Sequence, residues 1–211
     1  MRIVGHFYLC TECDDWHFSG SSGFCVAKDG VVATCRHVLD SDETMREAFL
    51  VVADLDGHVW PVQRVLAQDR ASDVCLLQSA EKGGVPLPLR ANVRAGERVY
   101  CLSNPDHHFG FFSEGLVARR YRARESEVRV EGALLPVVPW LHVTCAFGAG
   151  SSGAPIVDGR GNVVGIAQST TAIVNDAEDG GEETQLVLRT AAPAAAVADL
   201  VRIVATSPDA R

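Results

Sequence analysis

Apolar residues recur along this chain in short runs rich in Val, Ile, Leu and Phe. Turn-forming Gly, Asp and Asn interrupt them at intervals of roughly ten residues, the spacing of an all-β protein. Ser22–Ala27 predicts a strand, Lys28–Gly30 its turn, and Val31–Thr34 the next strand. Ala48–Ala53 and His58–Gln63 flank Asp54-Leu-Asp-Gly57, a hairpin signal. Val74–Leu77 predicts a short buried strand. Arg98–Leu102, Gly115–Ala118, Val128–Val130, Leu141–Thr144, Pro155–Val157, Val163–Ala167 and Gln185–Leu188 complete the series. Helical signals are confined to a short turn after His37 and to a segment from Ala192 to about Val204, with Pro193 in its first turn. Asn175–Glu183 reads as an acidic, glycine-containing loop.

The chemistry in this pattern centres on Phe147-Gly-Ala-Gly-Ser-Ser-Gly-Ala-Pro-Ile-Val157. Its Gly-x-Ser-Gly-x-Pro form places Ser152 on a tight turn where glycines let backbone approach a carbonyl. A serine hydroxyl needs a base to take its proton as it attacks. Histidine suits that task because its ordinary pKa lies near neutrality. A buried carboxylate must hold the imidazole in one tautomer. Thr34-Cys-Arg-His-Val38 supplies His37 at a strand end, and Ala71-Ser-Asp-Val-Cys-Leu-Leu77 supplies Asp73. The backbone N–H groups of Gly150 and Ser152 are the expected oxyanion donors, and losing one such donor costs about 10²–10³ in rate. Ser151 is the rival nucleophile, disfavoured by its register against Gly153-Ala-Pro-Ile-Val157.

These segments resemble the chymotrypsin/trypsin-like serine peptidases, especially the protease domain of the HtrA/Deg group. The likeness runs over roughly residues 19–200. It rests on Gly20–Val38, Ser72–Leu77, Gly96–Pro105, Ser113–Arg119, and Gly150–Asp158 with Gly161–Ile166. The resemblance implies an all-β fold of two six-stranded antiparallel β-barrels with a C-terminal helix and the triad in the cleft between the barrels. Residues 1–85 then form an N-terminal barrel carrying His37 and Asp73, 95–190 a C-terminal barrel carrying Ser152, and 191–211 the helix and tail. The crossover lies at Glu81–Arg94. It further implies that Ala146 and Phe147 form the base of the primary substrate pocket and Ile166, Ala167 and Gln168 its wall. Substrate backbone would add along the Ile166–Gln168 edge. No carboxylate stands at Ala146, so a small or medium apolar residue is expected before the scissile bond. The sequence departs from the family pattern at Arg36, beside the base, and at Ala154. Arg2-Ile-Val-Gly5 resembles a zymogen cleavage site, but neutral Ser151 cannot pair with a freed amine, so Ile3-Val4 is read as a strand start.

Composition narrows the picture. Of 211 residues 47% are apolar and 22% charged, a core-forming balance. A net charge of −8 argues against nucleic-acid partners. No apolar run reaches the roughly 20 residues of a membrane helix. The first residues hold no apolar stretch of secretory length, so a cytoplasmic location is expected. No PDZ-like module is expected beyond Arg211. The seven cysteines read as reduced, buried small hydrophobes. Only Cys10-x-x-Cys13, with His17 and Cys25 nearby, has metal-like spacing, and it lacks a second ligand pair, so no metal or cofactor is expected. The expected function is serine endopeptidase action on protein or peptide substrates, with a regulatory protein partner also admitted. A catalytically inactive homologue serving as an interaction module is the alternative, and a viral processing protease a third reading.

Overall fold

In the computed structural model, residues 1–41, 43–124, 129–130, 133–176 and 182–206 are described. The first closed barrel runs β1 (Arg2–Cys10), β2 (Trp16–Ala27), β3 (Val31–Cys35), β4 (Met45–Ala53), β5 (Val59–Asp69) and β6 (Val74–Ser79), with neighbours in the order β1-β2-β3-β6-β5-β4. The second takes β7 (Arg98–Ser103), β8 (Phe111–Ala123), β11 (Val138–Val143), β12 (Pro155–Val157), β13 (Val163–Asp176) and β14 (Glu182–Pro193), in the order β11-β14-β13-β12-β7-β8. All pairings in both are antiparallel. β9 (Arg129–Val130) and β10 (Ala133–Leu134) make a separate pair, and helix α1 (Ala194–Thr206) ends the described chain. The all-β, two-barrel architecture with a C-terminal helix agrees with the expectation from the sequence.

β3 and β6 set where the site begins. Neither alternates apolar with polar residues; Val32 to Cys35 and Val74 to Leu77 are all buried. Strands of this kind are covered on both faces. Here the cover includes Ala194, Val197 and Leu200 of α1, and Val163 and Ile166 of β13, which share one apolar cluster with them. β3 and β6 pair from Val31↔Gln78 to Cys35↔Val74. His37 and Asp73 therefore leave the sheet side by side, at the end of its most deeply buried strand pair.

Several strands exceed their expected lengths. β13 and β14 stay paired out to Asp176↔Glu182, well past the predicted Ala167. The extension carries exposed Thr170–Asn175, whose outward faces lack apolar alternation. Ladder hydrogen bonds hold such a ribbon, and periodicity does not report them. The predicted acidic loop is thus shortened at both ends, and residues 177–181 lie outside the described residues, as does Val128 of another predicted strand. Ala192 and Pro193, predicted as helix, finish β14. Ile3-Val4 lies inside β1, with Arg2 paired to buried Glu81. Among the described residues no helix is long and apolar enough to cross a membrane, a statement that leaves β-barrels aside.

Candidate active site

Each of the three predicted side chains is positioned by local chemistry before the barrels bring them together. After β3 the chain enters a 3-10 turn, Arg36–Leu39, closed by the Asp40 N–H on the His37 carbonyl at 3.1 Å. Arg36, flagged as a neighbour of the base, turns its guanidinium fork onto Asp40 instead, with both N···O distances 2.7 Å. Before β6, Asp69 folds the turn that delivers Asp73: its carboxylate accepts the Ala71 N–H at 3.0 Å and the Ser72 hydroxyl at 2.6 Å. Asp73 itself sits at φ +52°, a left-handed conformation that Asp and Asn tolerate better than most residues.

The serine turn is closed twice through Ser151. Its N–H donates to the Gly148 carbonyl at 3.0 Å, and its buried Oγ accepts the Gly148 N–H at 3.2 Å. Ser151 is thus committed to the turn, and Ser152 points outward. Gly150 and Gly153 adopt φ of +82° and +89°. At Gly153 a Cβ would lie 2.0 Å from the Ser22 carbonyl oxygen, so glycine is required there on both conformational and steric grounds.

The result is one continuous hydrogen-bond chain. Asp73 Oδ2 lies 2.5 Å from His37 Nδ1, and His37 Nε2 lies 2.9 Å from Ser152 Oγ. Asp73 Oδ1 also accepts the His37 backbone N–H at 2.9 Å, so the carboxylate grips ring and backbone together. The Asp73 side chain is 3% exposed and that of His37 40%, which puts the carboxylate behind the ring and the ring at the surface of the cleft.

Two contributors, Ser22 and Asn104, escaped the sequence reading, and a third, Gln168, expected in the pocket wall, makes a contact that was not foreseen. Ser22 of β2 clamps the nucleophile turn to the first barrel: its N–H donates to the Ser152 carbonyl at 2.8 Å and its Oγ to the Gly150 carbonyl at 3.1 Å. Asn104 donates its backbone N–H and its Nδ2 to Ser22 Oγ, at 3.1 and 3.2 Å. Gln168 donates Nε2 to Asp73 Oδ2 at 3.2 Å, and its carbonyl oxygen lies 3.2 Å from Ser152 Oγ, a second and longer acceptor beside His37 Nε2 for the one hydroxyl proton. The available signal was weak: a hydroxyl residue at the head of the apolar run in the second half of β2, which the fold buries completely.

The expected pocket residues fall differently. Ala146 is exposed and its carbonyl accepts the Ser113 hydroxyl at 2.8 Å. Phe147 is buried in the core of the second barrel. Ile166 and Ala167 are fully buried, and their backbones pair with β12 and β14 or bond to the Gly153–Ala154 turn. The substrate edge expected at Ile166–Gln168 is therefore already used up to Ala167. Beyond it β13 pairs only with β14, so its other edge opens at Gln168.

Residues 21–166 match the trypsin-like peptidase domain. The chain belongs to the trypsin-like peptidase family. This trypsin-like domain is 30% identical over 151 residues to a probable periplasmic serine endoprotease DegP-like of Pseudomonas fulva, covering 69% of the chain and 28% of that relative. It is 26% identical over 152 residues to serine protease HTRA1 of Xenopus laevis, covering 70% of the chain and 31% of that protein. The trypsin-like chain thus spans under a third of the length of these relatives. Its fold superposes on an HtrA-type protease AlgW solved with a decapeptide, at TM-score 0.68 and 16% identity, covering 97% of this chain and 64% of that one. The cytoplasmic location expected from the N-terminal residues is corrected here: DegP-like relatives are named as periplasmic. The opening residues proved an unsafe guide because the stretch aligned with those relatives covers only part of each protein.

Among the described residues, three groups of side chains bring metal-ligating atoms within 4.8 Å of one another: Cys35 with His37 and Asp73, Asp54 with Asp56 and His58, and Cys10 with Cys13 and His17. The first belongs to the candidate active site. None of the seven cysteines is in a disulfide. Burial pushes the thiols of Cys75 and Cys101 up to about 12 and that of Cys145 to about 11, so these three are inert packing groups.

Proposed function

We propose that this protein is a serine endopeptidase in which Ser152 is the nucleophile, His37 the general base and Asp73 the group that orients it. The observation carrying the reading is the uninterrupted Asp73–His37–Ser152 hydrogen-bond chain, with distances of 2.5 and 2.9 Å, assembled from both barrels. Ser152 Oγ attacks the scissile carbonyl carbon and passes its proton to His37 Nε2. The developing oxyanion is held by the backbone N–H groups of Gly150 and Ser152. His37 then gives the proton to the leaving amine, the C–N bond breaks, and an acyl-enzyme remains on Ser152. Water repeats the sequence through the same base and releases the acid.

Asp73 holds the Nδ1 proton of His37, which leaves Nε2 free to accept. Burial of Asp73 keeps water from competing for that hydrogen bond. The positive φ of Gly150, in the turn before Ser152, supports assigning the oxyanion donors to this turn. The substrate is a protein or peptide, consistent with the decapeptide held by the AlgW relative. Its backbone adds to β13 beyond Ala167, where the strand edge is open. The test is labelling by a fluorophosphonate probe: the wild-type protein takes one equivalent and Ser152→Ala takes none. Equal labelling of both proteins would remove Ser152 from the role.

A further inference from the structure

We infer that Cys10, Cys13 and His17, at the tip of the β1–β2 hairpin, form a zinc site with two thiolates and one imidazole as ligands and a fourth position open to water. Cys10 is the last residue of β1, and His17 faces Tyr8 near the start of β2. Between them the chain doubles back through hydrogen bonds from the Cys10 N–H to the Asp15 carbonyl at 2.9 Å and from the Asp14 N–H to the Cys10 carbonyl at 3.1 Å. Asp14 takes the left-handed φ of +60° that this turn requires. The fold of the turn brings Cys13 back over the strand pair, with its Sγ 3.0 Å from His17 Nε2.

All three ligand atoms lie within 4.8 Å of one another. Zinc bonds of about 2.3 Å to sulfur and about 2.0–2.1 Å to nitrogen, at tetrahedral angles, put sulfurs about 3.8 Å apart and sulfur about 3.6 Å from nitrogen. The cluster reaches that geometry by side-chain adjustments of about 1 Å or less, with no change in the hairpin. The Glu12 N–H points at Cys10 Sγ from 3.4 Å, a backbone donor that favours sulfur carrying negative charge. The His17 ring stacks on Tyr8 at 5.8 Å, which restricts where Nε2 can point.

The contrast with the other cysteines sharpens the assignment. Cys35, Cys75 and Cys145 are buried singly and spend their S–H groups on backbone carbonyls. Cys25, the next cysteine along the chain, lies near the far end of β2 and turns toward Glu81. Cys10 and Cys13 gather as a pair on an imidazole, whereas Cys35 meets His37 as a single thiol inside the candidate active site. Cys13 and His17 are exposed, so an ion can reach them from solvent. Two thiolates neutralise Zn²⁺, and binding displaces their two protons. The ion would tie the loose end of the hairpin to the strand pair that opens the first barrel.

The test uses the full chain, reduced and stripped with a chelator, then titrated with zinc chloride and, in parallel, with Co²⁺ as a spectroscopic probe. The expected result is one equivalent of Zn²⁺ bound and an intense sulfur-to-cobalt charge-transfer band. Cys13→Ser and His17→Gln should each weaken binding by more than about 100-fold, beyond the range for outer-shell changes. Neither variant should alter fluorophosphonate labelling. Three results would overturn the proposal: no stoichiometric binding by the reduced protein, binding unchanged in the two variants, or a Cys10–Cys13 disulfide that re-forms in the presence of zinc and excludes the metal. Zinc held at His37 and Asp73 instead would survive both substitutions and block labelling, so that case is separately visible.

Discussion

The chain builds the same histidine–aspartate grip twice. In the cleft, Asp73 accepts His37 Nδ1 at 2.5 Å and the His37 backbone N–H at 2.9 Å. On the β4–β5 hairpin, Asp54 accepts His58 Nδ1 at 2.9 Å and the His58 backbone N–H at 2.9 Å. The hydrogen-bond pattern is identical and the surroundings are not. Asp73 is 3% exposed and Asp54 18%; the His37 ring is 40% exposed and the His58 ring 68%. The far nitrogen of His37 meets Ser152, whereas the His58 ring lies beside Trp60, at 5.8 Å. A histidine–carboxylate pair is therefore cheap to make within one turn. A buried carboxylate behind it and a hydroxyl in front of it separate a candidate active site from a surface ion pair.

The largest test of that contrast is Ser152→Ala. Peptide hydrolysis should fall by about 10⁶, the scale seen when a triad nucleophile is removed. Residual turnover close to that of the wild-type protein would break the comparison outright. Next, Asp73→Asn should leave the fold intact, because asparagine also accepts a φ of +52°, and should lower turnover by about 10⁴ by favouring the wrong tautomer. The matching Asp54→Asn on the hairpin should change turnover less than about twofold, as expected for a surface pair outside the chemistry. Comparable losses in the two variants would mean that burial is not what distinguishes the pairs.

Gln168→Leu is a finer probe of the buried carboxylate. It removes one hydrogen bond to a charged group, worth about 1.5 kcal/mol, so kcat should fall by about tenfold with KM unchanged. A rise in KM alone would move Gln168 from positioning Asp73 to binding substrate.

The smallest effect concerns titration. The Asp54 hydrogen bond and charge hold the His58 pKa above its ordinary value. Burial works against Asp54 ionisation, but its bonds from the His58 ring and backbone outweigh this and hold it below the usual carboxylate range. Because the folded-state pKa of His58 is raised and that of Asp54 lowered, this pair's stabilisation is present between the ordinary carboxylate range and about pH 6.5; it is lost as pH rises through the folded His58 value and as pH falls through the folded Asp54 value. Proton NMR of the His58 ring should show a raised midpoint that returns to about 6.5 in Asp54→Asn. A midpoint that does not move would dismiss the pairing in solution.

Much of the fold was legible because strands report themselves locally. The strands Val31–Thr34, Val74–Leu77 and Pro155–Val157 could be read from apolar content and the turns around them. Register against Gly153 and Pro155 favours Ser152 over Ser151; in the structure Ser151 closes the turn and Ser152 Oγ faces His37 Nε2. The β13–β14 arms were legible only in part: Gln185–Leu188 reads as a strand, but Thr170–Asn175 and Glu182–Thr184 do not alternate apolar with polar residues, and ladder hydrogen bonds hold them. Nor were the partners of the site. Nothing local marks Ser22 as the clamp on the nucleophile turn, or turns Gln168 from a pocket wall into a brace on Asp73. Ile166 and Ala167 were correctly placed on β13, but an apolar strand residue reads the same whether it faces a cleft or a core.

Residue order and turn chemistry alone determined the all-β class, the strand ends that carry His37 and Asp73, and the glycine turn under Ser152. Tertiary structure alone decided which histidine–aspartate pair acquired a serine, which thiols gathered near His17 and which were sealed away, and where β13 leaves an edge for another chain. The reason is physical. Turn and strand preferences act over a few residues, whereas these meetings depend on the register and closure of two barrels and on which faces they bury against each other.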